Sequence, residues 1–202
     1  MLHSDRLESA RKLYYNGAYY AAERAFYELS GEMEGFSSLE RCEIEAYKVL
    51  CAVALDKVNA TGLVETFCTK YPNAPQRAMV RSALANRYFK TGRYQEALDI
   101  YRTVSEEHIY RNGRDEYVFN KAYCSMRTGA YDDAEDGFGK LLNRRHTRFT
   151  TPATYYLGYV HYVKKEFKKA APLFEKVGED NSFSLMARYF AVESRFMTKD
   201  YS

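Results

Sequence analysis

Tryptophan is absent from the 202 residues, proline appears only 4 times and glycine 11 times. So few chain-breaking residues leave little room for long flexible linkers. No run of about 18 apolar residues occurs, which excludes a hydrophobic helix that spans a bilayer. The opening MLHSDRLESARKL is charged and amphipathic and lacks the apolar centre of a secretory signal. Charge of one sign is also lacking. Basic residues number 30 against 27 acidic ones, a net charge of +3, and the pI near 8.5 falls short of the strongly basic range of nucleic-acid binders. The 4 cysteines, Cys42, Cys51, Cys68 and Cys124, form no CxxC pair and have no histidine-rich partner set. That argues against zinc and for buried thiols packed as small apolar groups, which fits a reducing compartment. No nucleophile elbow, phosphate loop or metal motif is present, so neither catalysis nor a cofactor or metal is expected.

What the chain has is aromatic rings and a recurring pattern. Tyrosine reaches 20 and phenylalanine 12. In Thr91–Tyr101, TGRYQEALDIY, Gly92 suits the left-handed end of one helix. Tyr94, Ala97, Leu98 and Tyr101 then fall at i, i+3, i+4 and i+7 on one face of the next helix. Copies follow at Gly17, Ala22 and Phe26, at Gly129, Tyr131, Ala134 and Phe138, and at Phe167, Ala170 and Phe174 with Lys165 for the glycine. A degenerate copy falls at Leu63 and Phe67. Second helical segments precede these motifs, as at Leu84-Ala85 with Tyr88 and Leu157-Gly158 with His161. The unit is helix, tight turn, helix. A pair this short must stack on its neighbours to bury its apolar faces.

The pattern Leu-Ala-x-x-Tyr-x-x-x-Gly-x-Tyr-x-x-Ala-x-x-x-Tyr from Leu84 to Tyr101 resembles the tetratricopeptide repeat signature, and Leu157 to Phe174 is similar. The resemblance runs over nearly the whole chain. It implies an all-α, right-handed superhelical solenoid of antiparallel helix pairs, and it looks like a segment of a longer bacterial protein. The expected pairs are residues 3–31, 38–71, 75–108, 115–144 and 151–178, with an incomplete sixth unit at 183–202. The close, Thr198-Lys199-Asp200-Tyr201-Ser202, reads as a turn and the first residues of a further helix, so a continuing array is expected.

The resemblance also implies where a partner binds. In that family the first helix of each pair lines a concave groove. Register on the small residue selects Tyr14, Asn86, Phe89, Phe119, Tyr123, Met126, Tyr155, Tyr159, Tyr162, Tyr189 and Glu193 for an extended peptide or partner helix. Removing Tyr155 and Tyr159 together is expected to abolish capture and leave helicity unchanged. Some family members clamp a terminal carboxylate. Asn86 and Asn120 stand where such a clamp has asparagines, but Ser82, Tyr155 and Tyr159 replace its cations, so no such clamp is implied. Two further readings accompany the protein-binding scaffold: a structural segment of a bacterial cell-envelope protein, with the cytoplasm as alternative location, and a nucleic-acid-binding regulator. The basic clusters Arg144–Arg148 and Lys164–Lys169 carry the last, against the simpler reading of a solvated linker and helix face. His161 reads as a packing residue in the slot that Tyr88 fills elsewhere. Pro172 is placed close to the first turn of a helix.

Overall fold

The computed structural model describes residues 3–179 and 181–198, with residue 112 by its backbone alone. The expected turn at 199–202, including Tyr201, lies outside these residues. Among them all regular structure is helical, in two compact units divided along the chain between Ile109 and Tyr110. The first unit holds α1 (His3–Tyr15), α2 (Tyr19–Ser30), α3 (Ser38–Ala54), α4 (Ala60–Lys70), α5 (Gln76–Lys90) and α6 (Tyr94–Arg102). The second holds α7 (Arg114–Arg127), α8 (Tyr131–Leu142), α9 (Thr150–Val163), α10 (Phe167–Glu175) and α11 (Ser184–Thr198).

The turn inside each hairpin is one device made from different residues. In the first unit Gly17 and Gly92 take φ of 78° and 76°, and Asp56 takes 57°. In each case the left-handed residue donates its amide three carbonyls back and the next residue five back, as in Gly92 N to Phe89 O (3.1 Å) and Arg93 N to Tyr88 O (2.9 Å). This double bond pattern closes a helix end without side chains. In the second unit Gly129 does the same at 82°, and Lys165 at 61°. A side chain costs about 1–2 kcal/mol in that conformation. Lys165 and Asp56 therefore carry strain that the glycines of the other three hairpins avoid. α3 is started differently: the Ser37 hydroxyl accepts from Glu40 N (3.3 Å) while Ser37 N donates to the Glu40 carboxylate (2.9 Å).

The second helix of each pair packs through its fourth and eighth residues. Ala22 with Phe26, Ala97 with Tyr101, Ala134 with Phe138 and Ala170 with Phe174 are all buried. In α4 those places hold Leu63, half-buried, and Phe67, buried, while Val64 supplies the missing apolar contact. Small residues set how closely paired helices approach. A Cβ on Gly137 of α8 would lie 2.6 Å from the Ala122 Cβ of α7, and one on Gly158 of α9 would lie 3.1 Å from the Phe174 ring of α10.

Two elements differ from their sequence pattern. The periodicity extends α6 from Arg93 to Glu107, but the helix stops at Arg102. There the Thr103 amide (2.9 Å) and hydroxyl (2.8 Å) both donate to Ile100 O, and Val104 turns into the core. The second difference is Pro172, which lies in the second turn of α10 rather than near its first. It withholds a bond from the Lys168 carbonyl, and both residues are on the exposed side of the helix.

Candidate partner-binding site

In the first unit α1, α3 and α5 are the successive first helices of three hairpins, and they pack side by side. A cleft of about 380 Å³ opens on them, walled by Tyr14, Tyr19, Leu50, Val53, Ala83 and Asn86, with Arg87, Lys90 and Thr91 at its α5 end. Tyr14 is held edge-on to Tyr19 (5.3 Å, 60°) and to Tyr47 (5.3 Å, 74°), and burial pushes its phenol above the usual range. The Asn86 Oδ1 accepts from the hydroxyl of Tyr101, a core residue at 0% exposure, which fixes the amide in place. Arg87 is paired with the Asp56 carboxylate and donates to Lys57 O (3.3 Å). Lys90 is exposed and, among the described residues, has no ion-pair partner. The cleft thus joins apolar walls, fixed polar groups, the Arg87–Asp56 pair and the ammonium of Lys90. Phe89 instead packs edge-on to Tyr94 (6.0 Å, 70°). Tyr19, Arg87 and Lys90 escape the sequence register because they stand at helix ends.

In the second unit the chosen rings pack largely on one another. Phe119 meets Tyr123 (6.3 Å), Phe138 (5.8 Å), Phe149 (5.1 Å) and Tyr156 (6.1 Å). Tyr156, absent from the sequence-derived set, also meets Tyr123 (5.0 Å) and Tyr155 (5.2 Å), and burial pushes its phenol up to about 12. Tyr155 lies against Phe174 (5.7 Å) and Phe183 (4.9 Å), and Tyr159 and Tyr162 lie against Phe190 (5.8 and 4.9 Å). These three tyrosines are half-buried against a core formed by α10 and α11. The Glu193 carboxylate accepts from Tyr162, whose phenol is pushed up to about 12 by burial first and this carboxylate second. Met126 is a core residue at 6% exposure, and Tyr189 is open at 58%. The double alanine replacement of Tyr155 and Tyr159 thus removes packing as well as surface. Helicity is therefore the control that any capture experiment with this double variant requires.

His161 is buried with a carboxylate facing each ring nitrogen: Glu166 at 2.6 Å from Nδ1 and Glu135 at 4.0 Å from Nε2. Donor atoms of these three residues lie within 4.8 Å of one another. Two ammonium groups already hold the carboxylates. Lys164 reaches Asp132 (2.8 Å) and Glu135 (2.7 Å), and Lys169 reaches Glu166 (3.2 Å). A divalent cation entering the cluster would share Glu135 with the Lys164 ammonium, an unfavourable meeting of like charges. The bond from His161, then that from Lys169, holds the Glu166 carboxyl below the usual carboxylate range. A depressed carboxyl stabilises the fold above its unfolded pKa, about 4.3, and that share is lost as pH falls through the folded value. Thermal melts from pH 5 to pH 3 are therefore expected to fall more steeply for the native chain than for Glu166→Gln. Parallel curves would remove this carboxylate from the account.

Three residues of the basic clusters, Arg144, Arg148 and Lys164, are neutralised by side chains about one repeat earlier, and Lys169 by a local one. Arg144 pairs with Asp115 (2.6 Å) and Arg148 with Glu116 (2.8 Å), while Lys164 and Lys169 are engaged as above. All four cysteines are free and buried, and burial pushes the Cys51 and Cys124 thiols up to about 12. No helix among the described residues is long and apolar enough to cross a membrane.

Antiparallel helix hairpins, closed by a left-handed turn and packed through a small residue and a ring, define a helical-repeat scaffold. Residues 82–148, about a third of the chain, match the tetratricopeptide repeat family model. Solved structures share the fold. A mutant of MamA is 17% identical over 89% of this chain and 97% of that one, with a TM-score of 0.67. A tetratricopeptide repeat protein from Parabacteroides merdae is 14% identical over 98% and 74%, with a TM-score of 0.62. A putative kinesin light chain from Podosopora anserina with TPR-like repeats is 16% identical over 95% and 96%, with a TM-score of 0.59. None of the proteins of curated function matches the chain. The fold is that of a protein-interaction scaffold.

Proposed function

We propose that the chain binds a peptide or a segment of a partner protein on the first-helix face of its repeats, with no chemistry of its own. The cleft on α1, α3 and α5 carries this reading: it is a concave surface with apolar walls and fixed polar groups. Tyr14 and Tyr19 give broad, stiff contact area with a polar tip, the kind of group that anchors interfaces. Lys90 at the rim favours a segment with a carboxylate beside its apolar anchor. In this reading the five helix pairs act as one array, with α11 as the first helix of a sixth unit. Tyr189 and Glu193 on α11 offer a further contact in the second unit. The pairing of Arg144, Arg148, Lys164 and Lys169 with carboxylates leaves only Arg145, Lys165 and Lys168 of the two clusters for phosphate, which weighs toward a protein partner over nucleic acid. Photocrosslinking from position 14 in the full chain tests the assignment.

A further inference from the structure

The opposite end of α5 carries a second cavity of different chemistry. It has a volume of about 390 Å³ and lies between the chain entering α5 and the chain leaving α6. Its polar lining includes Arg77, Arg81, Thr103, Ser105 and His108, and no carboxylate side chain lines it. We infer that this cavity is an anion site that takes a phosphate group.

Arg77 and Arg81 stand at i and i+4 on α5, so their side chains rise from one face a single turn apart. Among the described residues neither has a carboxylate partner. Arg77 donates from Nη1 to Pro72 O, which draws its guanidinium over the chain before the helix. Its Nε is buried and has no acceptor within the protein. That nitrogen is shielded from solvent, so the part of Arg77 offered to the cavity is the rest of its guanidinium, which has no carboxylate to neutralise it. The first turn of α5 adds to the field. Ala74, Pro75 and Ala78 form part of the wall, and no side chain caps that helix end. The opposing end of α6 does not cancel the demand, because Thr103 N donates to Ile100 O and Val104 N to Tyr101 O (3.2 Å). Glu107 accepts from the Ser105 hydroxyl (3.1 Å) and stays out of the lining.

Two guanidinium groups lining one cavity from the same helix face suit a dianion with several equivalent oxygens better than a single carboxylate. The site shares no lining residue with the α1, α3 and α5 cleft, so it stands independently of the partner-binding reading.

The test is titration of the full chain with inorganic phosphate at constant ionic strength, read by calorimetry and by Tm. Arg81→Gln is the informative variant because, among the described residues, Arg81 forms no ion pair or side-chain hydrogen bond. Lys140→Gln, in the second unit, controls for the loss of one positive charge. The expected result is saturable binding that raises Tm, weakened about ten-fold or more by Arg81→Gln and unchanged by Lys140→Gln. Acetate at the same ionic strength is expected to bind more weakly than phosphate. No saturable phosphate binding by the native chain, or equal affinity in Arg81→Gln, overturns the assignment. Acetate binding as tightly as phosphate would also overturn it.

Discussion

Phe174→Ala is expected to destabilise the second unit by about 3–5 kcal/mol, the range for deleting a buried phenylalanine. The residue is 2% exposed and lies at a junction of three helices. Its ring stacks on Phe190 of α11 (5.3 Å, 23°) and meets the edge of Tyr155 of α9 (5.7 Å). On a third side it lies against the backbone at Gly158, where a Cβ would come within 3.1 Å of it. That wall cannot close over the vacated space, because a helix backbone relaxes less than a side chain. The cavity therefore persists and the cost sits toward the upper part of the range. A domain of this size has only about 5–15 kcal/mol of stability, so the melting midpoint should drop by on the order of 10 °C or more. Phe174→Leu should recover part of the loss. A change below about 1 kcal/mol would mean that the ring does not hold α9, α10 and α11 together.

Gly137→Ala is the second large effect, and here two contributions oppose. Alanine gains about 1 kcal/mol over glycine inside a helix, so propensity alone predicts a more stable protein. The new Cβ, however, would stand 2.6 Å from the Ala122 Cβ and 3.4 Å from its Cα. Neither methyl can rotate away, so α7 and α8 have to separate. Overpacking of this kind costs about 1–3 kcal/mol and here exceeds the propensity gain. The expected result is net destabilisation, largely rescued when Ala122→Gly is added. Gly139 on the same helix supplies the control, since a Cβ there meets nothing within 4 Å. Gly139→Ala should stabilise by up to about 1 kcal/mol. If both alanine variants behave alike, helix proximity is not what selects glycine at 137.

The repeat was legible because its marks are local. Ala97 with Tyr101 and Ala170 with Phe174 announce a packed helix by spacing alone, and both pairs are buried. The left-handed turn at Asp56 was not legible, since an aspartate gives no sign that it will take the place of Gly17 or Gly92. Nor were the ion pairs. Arg11 with Glu43, Lys57 with Glu23, Arg144 with Asp115 and Lys164 with Asp132 are separated by 29–34 residues, about one repeat, and only stacking brings them together. The site divides in the same way. Tyr14 and Asn86 follow from register on the small residue and line the cleft. Tyr155, Tyr159 and Tyr162 share a face of α9, as their spacing requires, but periodicity says nothing about what stands opposite. In the structure that is Phe183 and Phe190, so those rings are chiefly packing groups.

The central claim is that a partner segment enters the cleft on α1, α3 and α5. The most direct measurement places a photoreactive amino acid at position 14, inside the cleft, and separately at position 27, where Tyr27 is exposed on α2. The full chain is irradiated in extract from its own source. The account predicts a discrete protein adduct from position 14 that disappears when Lys90→Glu is added, and none from position 27. Equal adducts from both positions, or an adduct from position 14 that ignores Lys90→Glu, would contradict it.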